Sequence, residues 1–231
     1  MTMYSATLIY ASRRVYPGGM LFAALLATLA GCNTGDPADS ATPSPATTDP
    51  IATLPSAKQI DLKHPVVQID TKQGSIAIRL NAVQSPGTVR NFLNYASEGF
   101  YDNTIVHFVE PGKMIMAGGY SADRQPKEPR ASIRNEAHNG LKNLRGTIAM
   151  ARDQSMIDGA TSQFFINLAD APQRDHQGDT AAAYGYCVFG EVTEGLEVAE
   201  RVSQSPTTNN GGDLVQTPDP PIVIKSVRVV R

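Results

Sequence analysis

From Val66 onward the chain repeats one theme, short apolar runs of strand length closed by turn residues. "VVQID" and "SIAIRL" flank "TKQG", as the arms of an antiparallel hairpin flank their turn. "TIVHFV", "KMIMAG", "GTIAMA", "QFFINL", "YGYCVFGEV" and "PIVIKSVRVV" supply further strands. Two segments break the theme. Ser85-Pro86 sets a cap residue and a first-turn proline before the apolar face Val89, Phe92, Leu93 and Ala96, and Gly99 ends that helix. "TEGLEVAERVSQ" reads as a second helix. Seven or eight short strands with two helices predict a mostly β fold, an antiparallel barrel capped by helices.

The first 63 residues have a different character. Arg13 and Arg14 precede "MLFAALLATLA", Met20 to Ala30, which is followed by Gly31 and Cys32. A basic region, a short apolar region and a small-residue junction make residues 1–31 a signal peptide. Its eleven residues, all apolar but Thr28, fall short of the roughly 20 that span a bilayer. The junction "LAGC" resembles the lipobox of bacterial lipoproteins, which implies lipidation of Cys32 and attachment to a membrane. Asn33 stands where an aspartate retains many lipoproteins at the inner membrane, so an outer-membrane anchor facing the periplasm is expected. Residues 32–63 form the tether, rich in Pro, Ser and Thr with almost nothing to bury, and are read as disordered. Residues 64–231 form one domain.

Beyond the signal peptide, 18 basic residues face 22 acidic ones, a net charge of −4 that gives no footing for nucleic acid. The one remaining cysteine, Cys187, has no disulfide partner within the chain and reads as a small buried hydrophobe. There is no G-x-S-x-G elbow, P-loop or G-x-G-x-x-G. His64, His107, His138 and His176 lack metal-ligand spacing, and the loop of Asp170, Asp175, His176 and Asp179 reads as solvated and polar.

Four segments carry a resemblance. "EGFYDNTIVHFVEPGKMIMAGGY" resembles the cyclophilin signature, and "IRNEAHNGLKNLRGTIAMAR", "ATSQFFIN" and "YGYCVFGEV" continue it in order. The resemblance spans residues 64–231 and implies an eight-stranded antiparallel barrel capped by two helices, with peptidyl-prolyl cis/trans isomerase activity and no cofactor. Isomerising an X-Pro bond twists a partial double bond over a barrier of about 20 kcal/mol without breaking any bond. The family holds proline in an apolar pocket and aims an arginine at the prolyl nitrogen.

Here Phe108 stands at that arginine's position. Lys113 replaces an aromatic pocket wall, Met116 a substrate-binding glutamine, and Gln173 and Arg174 an aromatic and a leucine of the rim. Met114, Ala151, Gln163, Phe165 and Tyr186 match groove positions, with Phe165 as floor and Gln163 as a main-chain partner. His107 is placed beside the substrate, partly buried and hydrogen-bonded. The resemblance thus implies a monomeric isomerase for exported, proline-containing proteins, slowed by the missing arginine. Lys113 or Arg174 is a candidate replacement cation. The alternative is a tethered module that binds proline peptides, chaperone-like, without catalysis.

Overall fold

The structure, a computed structural model, describes residues 61–230. The signal peptide, Cys32 and the tether up to residue 60 lie outside the described residues. Among the described residues, no helix is long and apolar enough to cross a membrane.

The first hairpin forms as its alternation predicts, β1 (Val66–Thr71) against β2 (Ser75–Leu80). Helix α1 (Pro86–Ser97) leads to β3 (Thr104–Glu110), β4 (Met114–Ser121), β5 (Thr147–Arg152) and β6 (Ala160–Asn167). Then come β7 (Val188–Glu194), α2 (Leu196–Ser203), a two-stranded ribbon of β8 (Thr207–Thr208) and β9 (Thr217–Pro218), and β10 (Ile222–Val229). Eight strands close an antiparallel barrel in the order β1-β10-β3-β4-β6-β5-β7-β2. Ile69, Ile78, Val109, Ile115, Phe164 and Ile166 fill its interior, joined by Val89, Phe92 and Tyr95 of α1 and Val198 and Val202 of α2. Each helix thus buries its one apolar stripe on the barrel core.

Two local expectations change. Ser85 does not cap α1 with its side chain; its hydroxyl donates to the Val188 carbonyl at 2.8 Å. The first-turn amides of Gly87 and Thr88 donate instead to the Glu136 carboxylate, at 3.1 and 2.8 Å. A carboxylate accepts such amides more strongly than a hydroxyl and also favours the helix dipole. The strand read at "YGYCVFGEV" begins only at Val188. Tyr186 donates its amide to Arg174 O in a neighbouring loop at 2.9 Å, so this stretch serves loop contacts rather than the ladder. Cys187 is buried, as expected, and burial pushes its thiol up.

The β3–β4 ladder contains a break that determines the site. Val106 pairs with Ala117, but Phe108 pairs with Met116, leaving His107 as an extra residue in a β-bulge. Strand side chains alternate between faces, so one extra residue reverses the alternation. Val106 and Ala117 accordingly point into the core, whereas Phe108 and Met116 pack on the other side.

His107 is 1% exposed, its ring 4.8 Å from that of Tyr120. Its Nδ1 has no partner at hydrogen-bonding geometry among the described residues. His107 is thus fully rather than partly buried, with the Gln163 side chain as a hydrogen-bonding neighbour. Burial lowers its pKa from 6.5 to about 4, opposed by the Gln163 side chain and the Ile105 backbone. The folded state favours neutral His107, so its stabilising effect is complete above pH 6.5 and is lost as pH falls toward 4. Between those values, denaturant unfolding should show stability falling by roughly 3 kcal/mol more in the wild type than in His107→Gln. Parallel pH profiles would contradict this placement.

Candidate active site

One apolar row crosses the outer face of the barrel. Phe108 pairs with Met116, Met116 with Phe165, Phe165 with Ala149, and Ala149 with Val188. Met114, Ala151, Leu141 and Tyr186 pack with the row into a cluster separate from the interior core. An apolar surface on the outside of a barrel is left to contact something other than the core. Loops cover part of it, and the Tyr186 ring stands edge-on to Phe165 at 5.6 Å and 82°.

The next row along the strands is polar at both ends, with Glu110 opposite Met114 and Met114 opposite Asn167. Arg174 lies over these two rows. Its guanidinium carbon is 5.3 Å from the centre of the Phe165 ring. Nη1 donates to Asn167 Oδ1 at 3.1 Å, and Nη2 lies 2.9 Å from the Met114 sulfur and 3.8 Å from Glu110 Oε2. Burial pulls the Arg174 pKa down and Glu110 pushes it back up, yet an arginine stays charged under any ordinary condition. Beneath this guanidinium, Phe165 and Met114 are each only 1% exposed.

The surrounding polar groups fix the loop that carries Arg174. Asn143 Nδ2 donates to Arg174 O at 3.0 Å, and its backbone amide donates to Asp175 Oδ1 at 2.7 Å. Arg152 is buried and donates to the carbonyls of Gly185, Met156 and Ala181, at 2.9, 3.0 and 2.6 Å. Its guanidinium lies 5.2 Å from the Tyr186 ring centre, behind the groove wall. Such buried donors, all satisfied, hold loops more firmly than apolar contact alone.

Gln163 lies against Gly119, where a Cβ would come within 2.7 Å of its amide carbon and nitrogen. The second glycine of "AGGY" therefore leaves room for the glutamine side chain.

Most of the sequence-derived residues converge. Phe108, Met114, Met116, Ala151, Phe165, Tyr186 and Arg174 meet in one groove, with Gln163 half-buried on β6 beside them. Three do not. His107 is enclosed, Gln173 is exposed, and Lys113 is mostly exposed and bonds Glu110 Oε1 at 2.6 Å on the rim. Of the two candidate cations, Arg174 alone reaches the floor. Sequence reasoning missed Glu110, Asn143, Arg152 and Asn167. The asparagines in "NEAHNGLKN" were the one available signal, because an asparagine-rich irregular segment often hydrogen-bonds backbone.

Such a site contains an apolar floor, hydrogen-bonding groups and a guanidinium laid over that floor, suited to gripping a peptide. Residues 66–229 match the family model for "Cyclophilin type peptidyl-prolyl cis-trans isomerase/CLD". The chain is 46% identical over 166 residues to peptidyl-prolyl cis-trans isomerase A of Dickeya dadantii, covering 71% of this chain and 84% of that protein. It is 42% identical over 164 residues to peptidyl-prolyl cis-trans isomerase B of Escherichia coli, covering 71% and 99%. Among solved structures, a Cryptosporidium parvum cyclophilin type peptidyl-prolyl cis-trans isomerase superposes with TM-score 0.57 at 25% identity, covering 73% of this chain and 98% of that one. The same protein solved in the presence of the dipeptide Ala-Pro gives TM-score 0.57 at 26% identity, covering 72% and 99%. With a closed eight-stranded barrel and the groove on its outer face, the chain belongs to the cyclophilin-type peptidyl-prolyl cis-trans isomerase family.

Proposed function

We propose that the chain isomerises X-Pro bonds in exported proteins at a rate below that of relatives bearing an arginine at position 108. The observation that carries this reading is the row Phe108–Met116–Phe165, an apolar groove in which β3 presents a phenylalanine rather than a cation. Proline peptides are the substrate class, in keeping with a similar protein solved in the presence of Ala-Pro. Twisting the amide localises the nitrogen lone pair, and a donor aimed at that nitrogen stabilises the twisted form more than the planar one. Without the donor, the groove binds peptide but stabilises its transition state less. Loss of one preorganised donor costs about a hundredfold to a thousandfold in rate elsewhere.

The enzyme works as a monomer held by a lipid on Cys32 to the outer membrane, facing the periplasm. The "LAGC" junction, Asn33 and the polar tether support this address. A closed barrel has no open sheet edge for a second copy to extend, which favours the monomer.

The test of activity is a proline-isomerisation assay of the full chain beside Phe108→Arg. Wild-type turnover should be slow, and the variant should gain at least about tenfold in kcat/KM. Wild-type turnover equal to that of arginine-bearing relatives would refute the reduced rate. No turnover in either protein, with peptide binding retained, would favour a binding module instead. The address is tested by palmitate labelling in cells. Label should enter the wild type and be absent from Cys32→Ala, and an unlabelled wild type would refute the anchor.

A further inference from the structure

We propose that Arg174 is the specificity-determining residue of this groove, a built-in occupant of the proline site that a substrate must displace. The inference rests on the isomerase reading and adds what controls entry. Three observations carry it.

The first is burial. Phe165, read as the floor on which a proline ring rests, is 1% exposed, and Met114 beside it is also 1% exposed. An apolar floor that receives a ring must be open to it, and this floor is covered. The second is what covers it. The Arg174 guanidinium lies 5.3 Å from the ring centre, within cation–π range, and its side chain is only 15% exposed. A proline ring cannot share that volume with a guanidinium. The third is how firmly the cover is held. Asn167 accepts from Nη1, Glu110 lies within ion-pair distance of Nη2, and Asn143 and Tyr186 fix the Arg174 carbonyl.

Displacement therefore breaks a charge-assisted hydrogen bond and a cation–π contact. It releases the guanidinium toward solvent at the rim, where Glu110 already pairs with Lys113. A substrate is selected by what it returns for that loss. Proline supplies apolar contact with Phe165, and the peptide carbonyls or an acidic side chain beside the proline can accept from the displaced donors. A site whose competent form is a minor population binds more weakly by that fraction. Arg174 acts here as a cover rather than a working donor, because its head lies on the floor with Nη1 bonded to Asn167.

The experiment measures binding and turnover of the peptide Ala-Ala-Pro-Phe by the full chain, Arg174→Leu and Arg174→Ala. If the uncovered form is about a tenth of the population, both variants bind about tenfold more tightly, with the gain read in Kd and KM. Alanine controls for any contact made by the leucine itself. Binding by the wild type that neither variant improves overturns the inference and leaves the isomerase reading standing. A fall in kcat/KM in both variants also overturns it, since the reaction would then use Arg174 directly. Binding that appears only in the variants supports it. No binding by any of the three overturns both readings together.

Discussion

The site depends on a single extra residue. The bulge at His107 reverses the side-chain alternation of β3, so that Val106 packs inside the barrel and Phe108 outside it. Without that reversal, Phe108 would share a face with the core and the apolar row would lose its first member. The bulge also explains an awkward feature. The extra residue is a histidine enclosed with Nδ1 lacking a partner among the described residues, a cost the fold bears at the edge of its groove. Bulges recur beside active sites because they re-aim one side chain while the ladder continues on both sides.

Charge then decides what the groove does. In the family's pattern the cation approaches from β3. Here β3 offers a phenylalanine, and the guanidinium over the Phe165 ring comes from the segment after β6. The two arrangements differ physically. A cation beside the proline ring can polarise the twisted amide, whereas a cation on the ring's own seat competes with the substrate. Glu110 ties the second arrangement together by facing both Arg174 and Lys113, and Asn143 and Arg152 immobilise the loops behind it.

The strands were legible because alternation and turn residues are local signals, and seven of the eight barrel strands fall where those signals place them, β7 starting four residues late at Val188. Which face of a strand looks inward was not legible. "TIVHFVE" has apolar residues on both sides of its histidine, so pattern alone cannot show a reversal between Val106 and Phe108. Membership of Met114, Met116 and Phe165 in a groove came only through resemblance, since a buried outer face and a buried inner face have the same composition. Capping by Glu136 escaped because it acts across 48 residues from Thr88, where a local rule pointed to Ser85. Arg174 was placed at the rim by alignment, yet its inward course depends on Asn167, Met114 and Glu110 meeting it, partners drawn from three strands.

The most direct test of the account is a crystal structure of the chain with Ala-Pro bound. The proline ring should lie on Phe165, with the Arg174 guanidinium moved off that ring and its hydrogen bond to Asn167 broken. A structure with proline seated on Phe165 and Arg174 unmoved would contradict it.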